Sequence, residues 1–134
     1  MNRIYRPGLQ YPHLWFGIGL FIAACIAVTC LLPARDLPDI ALWDKLKHAL
    51  SWAVLAWCFA GVLQRRHFLW LVLAVTAFGG LIEIAQEAMQ LGRHAEWADL
   101  LADFIGAAVG VALAATPLGR WPDFIESLFR RVVA

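Results

Sequence analysis

A few short groups of polar residues stand out in this otherwise apolar sequence. Asp44, Lys45, Lys47 and His48 form one group, and Glu83, Gln86 and Glu87 a second. Arg93 stands alone, and Asp99 and Asp103 form the third group. Asp44, four residues before His48, could orient the imidazole as a general base, with Glu83 in apolar surroundings as a matching acid. Lys45, Lys47 and Arg93 could hold a phosphate or carboxylate, Arg93 bidentately. Asp44, Glu83 and Gln86 could orient sugar hydroxyls or those cations. Asp44/His48, Glu83/Glu87 and Asp99/Asp103 are also pairs four residues apart. Such pairs could place metal ligands inside a carboxylate helix bundle, although the pattern is not the Glu-x-x-His kind. A covalent mechanism has little support, because Ser51 is the one candidate nucleophile and no G-x-S-x-G surrounds it.

These residues share chemistry only if the elements carrying them meet. Residues three, four and seven apart lie on one helix face. Glu83, Gln86, Glu87 and Gln90 then form one stripe. Asp44, Lys47, His48 and Ser51 form another, and Asp99 and Asp103 a third. Ala102, Gly106, Gly110 and Ala114 recur every four residues, a small-residue pattern that lets helices approach closely. The stripe lies within about 60° of Asp103 around the helix axis, which turns Asp103 toward the bundle interior.

The elements themselves follow from composition. Of 134 residues, 62% are hydrophobic and 16% charged, against roughly 45–50% and about 25% in an average globular protein. Mean hydropathy is +0.68. A chain this small could not bury so much apolar side chain alone; a disordered chain is excluded by the same excess. A formal net charge of +1 carries no nucleic-acid signature. Cys25, Cys30 and Cys58 all fall in apolar runs and do not form a disulfide framework. They are expected to be packing residues. The reading is an integral membrane protein of all-α class.

Spans of about 20 apolar residues are expected at about 13–32, 47–63, 68–91 and 99–118. A short interfacial helix is expected at about 121–133, where Trp121, Phe124, Ile125, Leu128, Phe129 and Val132 recur beside Arg120, Arg130 and Arg131. This is a single-domain, four-transmembrane-helix bundle. Tyr5, Tyr11, Trp15 and Trp97 sit at boundaries as aromatic anchors, and His13, His67 and His94 as solvated boundary residues. Ile22-Ala23-Ala24-Cys25 has the look of a lipoprotein cleavage site, but the apolar run continues past it to Leu32. With the N-terminus inside, seven Lys and Arg residues face the cytoplasm (Arg3, Arg6, Arg65, Arg66, Arg120, Arg130 and Arg131) and four face outward. By the positive-inside rule both termini are cytoplasmic, in an inner membrane, and every polar intrusion comes to the outer end.

The order Asp44-Lys45-x-x-His48, Glu83-x-x-Gln86, Arg93, Asp99-x-x-x-Asp103-x-x-Gly106-x-x-x-Gly110 resembles the VanZ-like family of small membrane proteins, over roughly residues 40–115. That family pattern usually has Asn where this sequence has Asp103. The resemblance implies a role at the cell envelope; the family's namesake confers low-level resistance to the glycopeptide antibiotic teicoplanin. It does not predict a metal, and no cofactor is expected. The sequence leaves two readings of the polar groups open. One is a structural salt-bridge network, with Lys45, Lys47, His48 and Arg93 as counter-charges. The other is an outward pocket built from Asp44, Lys45, His48, Glu83, Gln86, Arg93, Asp99 and Asp103. Its expected partners are membrane lipids and a lipid-linked cell-wall precursor or glycolipid. A membrane enzyme acting on such a lipid, by acid/base or metal-assisted chemistry, is the alternative. A transporter fits less well, since the spans show no internal repeat and the third and fourth are almost wholly apolar away from Glu83 and Asp103.

Overall fold

The computed structural model describes residues 4–32, 41–89 and 96–133, with side-chain placement beginning at Lys45 in the second segment and ending at Val132 in the third. Among the described residues there are five α-helices and no strand beyond a single Tyr5–Leu63 bridge. They are α1 (Pro12–Leu31), α2 (Ala41–Val62), α3 (Phe68–Met89), α4 (Trp97–Ala114) and α5 (Trp121–Val133). Short 3-10 turns at Arg65–His67 and Pro117–Arg120 lead into α3 and α5.

α1 opens on Pro12, whose fixed φ suits the first helical turn. Its N-cap, Tyr11, makes no side-chain cap. The free backbone donors are met from the far end of the chain instead. The Glu126 carboxylate of α5 accepts from the backbone N–H of Gln10 and of Tyr11, at 3.0 Å each, and from the Trp15 indole at 2.8 Å. Burial opposes the charge on Glu126, but these three donors and nearby Arg130 outweigh it and hold the carboxyl below its ordinary value. Arg6 pairs with Asp123 beside them.

α2 is the central element. Trp52, Leu55, Ala56 and Val62 are almost completely buried, and α1, α3 and α4 all pack against it. α4 comes closest. An added Cβ at Gly106 would lie 2.2 Å from the Ala49 carbonyl oxygen, and one at Gly110 would lie 2.1 Å from that of Ala53. Ala102, Gly106, Gly110 and Ala114 are all buried, so the small-residue stripe is the surface on which α2 rests.

The outward faces are apolar. Phe21, Leu69, Trp70, Leu81 and Ile84 are each more than 50% exposed, and within α1 just Trp15 and Gly19 are buried. Such a surface needs lipid or another apolar cover. α1, α4 and the Arg65–Met89 segment containing α3 are each long and apolar enough to cross a membrane. α2 is long enough, but Lys45, Lys47 and His48 put it below that measure, so the count of four spans is not met by length and composition. α5 inverts the usual amphipathic arrangement. Its acid Glu126 is buried while Phe124, Leu128, Phe129 and Val132 are exposed.

Two boundaries differ from hydropathy. α2 begins at Ala41 rather than near Lys47, because Asp44 to Lys47 continue the helix without being apolar. α4 ends at Ala114 rather than Leu118. Proline cannot continue a helix and disfavours the helical conformation just before it; Thr116 is extended, and its side chain accepts from Leu118 N–H to start the next turn.

Candidate functional site

The start of α2, the last two turns of α3 and the start of α4 lie together at one end of the bundle. His48 stands two turns into α2 and is buried. Its Nδ1 is 2.9 Å from Asp103 Oδ1. Asp103 is fully buried in the second turn of α4, one turn before the Gly106 contact that brings α4 onto α2. A carboxylate there accepts from Nδ1–H, and in the neutral ring that leaves Nε2 with its lone pair. The imidazole stacks on Trp52, with ring centroids 5.6 Å apart. Trp52 in turn donates its indole N–H to the Val75 carbonyl of α3 at 2.9 Å.

The second Asp103 oxygen lies over Gly79 of α3. An added Cβ at Gly79 would come 2.1 Å from Asp103 Oδ2, so the missing side chain makes room for the carboxylate. That oxygen has no hydrogen-bond partner among the described residues. Neither does either oxygen of Glu83, one turn further along α3, though Glu83 is only 6% exposed.

Asp99, in the first turn of α4, completes the group. An acid there is favoured by the helix dipole. Lys45 Nζ reaches Asp99 Oδ1 at 3.3 Å and Glu96 Oε2 at 2.8 Å. His48, Glu83 and Asp99 each offer a ligand atom, and these atoms all lie within 4.8 Å of one another.

Of the residues singled out from sequence, Lys45, His48, Glu83, Asp99 and Asp103 therefore gather at one place. Gln86 does not point into the group: its amide donates to the Cys30 carbonyl of α1 at 2.8 Å. Arg93 and the Asp44 side chain lie outside the described residues. The partner of Asp103 is His48, not Lys45.

A model of the VanZ/LLP1 family matches residues 17–118, and that stretch carries every residue of this group. The chain belongs to the VanZ/LLP1 family. Among curated proteins and among solved structures, none matches it. The VanZ/LLP1 match and the apolar helices together make this a membrane protein of the VanZ type.

Two members of the group escaped sequence reasoning. Trp52 follows His48 by four residues and Gly79 precedes Glu83 by four, so each shares a face with a residue already singled out. That spacing was the available signal. An apolar groove opens nearby on the outer face of α1, α2 and α3. Phe16, Leu20, Phe59, Trp70 and Phe78 help to line its volume of about 490 Å³. It approaches the polar group through Phe78, which stacks on Trp52 at 6.2 Å.

Proposed function

We propose that this VanZ-type protein binds the polar part of a lipid-linked or glycosylated cell-envelope molecule at the His48–Glu83–Asp99–Asp103 group. The observation that carries this reading is the buried Glu83 carboxylate: among the described residues neither oxygen has a hydrogen-bond partner within 3.5 Å, and the Glu96 backbone N–H lies near without closing such a bond. A buried acid without partners is costly, and ligand hydroxyls or amides would satisfy it. Lys45 would meet a phosphate or carboxylate, and Arg93, which lies outside the described residues, is the second cation proposed for it. The apolar groove beside Phe78 would take an acyl chain, since its lining continues the lipid-facing surface.

In this reading α2 is a fourth span in an inner membrane, with both termini cytoplasmic and the polar group facing outward. Its core position supports this: α2 is flanked by three helices that are apolar enough to cross. Resistance to teicoplanin, as in the family's namesake, would follow if the bound molecule belongs to the pathway that glycopeptides block. The oriented His48–Asp103 pair beside Glu83 also favours a second reading, acid/base chemistry on the bound molecule.

Native mass spectrometry of the detergent-purified protein tests the binding. A lipid-linked saccharide should be retained in preference to phosphatidylglycerol, and Glu83→Gln and Asp99→Asn should abolish that preference. Equal retention of both lipids by the wild type would overturn it.

A further inference from the structure

We propose that His48, Glu83 and Asp99 bind a divalent first-row metal ion of the zinc class, with Asp103 orienting the imidazole. This goes beyond binding of an envelope molecule and does not depend on it. Three observations support the site independently of one another.

The first is donor geometry. The three ligand atoms come from three different helices and lie within 4.8 Å of one another. Tetrahedral zinc with bonds of about 2.0–2.2 Å holds its ligand atoms about 3.3–3.6 Å apart, so closure by at most about 1.5 Å would seat the ion.

The second is the carboxylate behind the histidine. Metal-bound imidazoles characteristically donate their other N–H to a carboxylate, which fixes the tautomer and raises ligand basicity. Asp103 Oδ1 stands 2.9 Å from Nδ1, and the pair is buried. Nε2 is the nitrogen left for the ion. Trp52 stacked on the ring and Gly79 beneath the carboxylate hold this arrangement from the side.

The third is charge. Glu83, Asp99 and Asp103 are buried, and among the described residues both Glu83 oxygens lack a hydrogen-bond partner. Lys45 is shared between Asp99 and the exposed Glu96, so it offsets these charges only in part. The excess of negative charge that remains is what a divalent cation would offset. Imidazole with two carboxylates suits zinc better than magnesium or calcium, which prefer all-oxygen shells. Three protein ligands leave a coordination position open to water or to a ligand oxygen.

The test uses the full chain, purified in detergent and stripped with a chelator. Wild type should take up one Zn²⁺ per chain in a calorimetric titration. Co²⁺ should give the visible absorption of a nitrogen- and oxygen-bound site. Glu83→Gln and Asp99→Asn should each weaken Zn²⁺ binding at least about tenfold, and Asp103→Leu about 10–100-fold. Asp103→Asn, which can still accept from Nδ1–H, should change it less than about tenfold. Circular dichroism and the metal-free melting temperature show which variants are folded, and folded variants alone are compared. Folded wild type that takes up no Zn²⁺ would overturn the site. Unchanged affinity in folded Glu83→Gln and Asp99→Asn would overturn it too, as would the thiolate charge-transfer bands of Co²⁺ on Cys25, Cys30 or Cys58. Metal uptake is read without any lipid, so its failure is distinct from failure of lipid-linked saccharide binding.

Discussion

Replacing Gly106 by Ala tests how packing holds the site together. The added Cβ would stand 2.2 Å from the Ala49 carbonyl oxygen and 2.9 Å from its carbonyl carbon and Cα. The obstacle is α2 backbone, so no side-chain rotation relieves it. Reaching even 3.0 Å requires α2 and α4 to part locally by about 0.8 Å. Overpacking of this kind costs about 1–3 kcal/mol, and the better helix propensity of Ala returns at most about 1 kcal/mol. With about 2 kcal/mol as the central cost, the net loss is about 1 kcal/mol or more, several degrees in melting temperature. The damage should reach the polar group as well. His48 adjoins Ala49, and Asp103 is one turn from Gly106. If the same displacement is passed to the 2.9 Å His48–Asp103 contact, it exceeds about 3.5 Å and is no longer a hydrogen bond. The assay is thermal unfolding of the purified protein in detergent micelles, beside two matched controls. Gly80→Ala meets just Leu100 Cδ1 at 3.5 Å, and Gly17→Ala meets nothing within 4 Å. Both should melt at or above the wild-type temperature. If Gly106→Ala melts with Gly80→Ala, the close approach of α2 and α4 is not what holds these helices in place.

Asp103→Asn should express and melt near wild type and keep the envelope phenotype, whereas Asp103→Leu should lose about 1–3 kcal/mol by leaving His48 Nδ1 unpaired; thermal melts beside a teicoplanin susceptibility assay read both. Glu126 has a depressed folded-state pKa, so its contribution to stability is fully present above about pH 4.5, the value it returns to on unfolding, and is lost as pH falls through the folded value. Glu126→Gln should therefore be less stable than wild type at pH 7, by about 1–3 kcal/mol for lost hydrogen bonds to a charged group, and the gap should narrow in melts below pH 4.5. For orientation, single cysteines at positions 65 and 93 in a cysteine-free background should differ toward an impermeant thiol reagent in intact cells. Position 93 should react and position 65 should not; the reverse would invert the proposed topology.

What could be read from the sequence was local. The all-α class follows from apolar runs, and the α2-facing side of α4 follows from Ala102, Gly106, Gly110 and Ala114 at four-residue spacing. The grouping of His48, Glu83, Asp99 and Asp103 follows from helical faces plus the order of the spans. Gln86 shows the limit of that reasoning. It lies one turn from Glu83, but three residues advance about 300° around the axis, and that offset turns its amide to Cys30 on α1. Helix ends were blurred because hydropathy marks where a chain is apolar, not where it is helical; Asp44 to Lys47 are helical and charged. The Glu126 cap on α1 left no trace, since its donors lie 111–116 positions away and nothing local marks the pairing. Trp52 and Gly79 were within reach of the face argument. An aromatic residue and a glycine do not announce chemistry, however, and what they do became visible only with distances.

The position at which the chain departs from the family pattern is now tied to a specific atom. Asp103 is the residue that receives His48 Nδ1. Asn, the usual residue of the pattern, can present a side-chain oxygen to the same Nδ1–H and so fix the same tautomer. Either residue leaves Nε2 free for a ligand, which explains how the exchange can preserve the arrangement. They differ in charge. Asp adds a negative charge behind the ring, which would favour a metal ion on Nε2. Gly79 leaves room for the second oxygen, and in an Asn variant the amide nitrogen would occupy that space. Close to it lies the Trp52 indole N–H, a donor already committed to Val75. An amide there gains no acceptor from Trp52, and a carboxylate gains no donor. The two residues therefore differ on the histidine side of residue 103, in the charge placed behind the His48 ring.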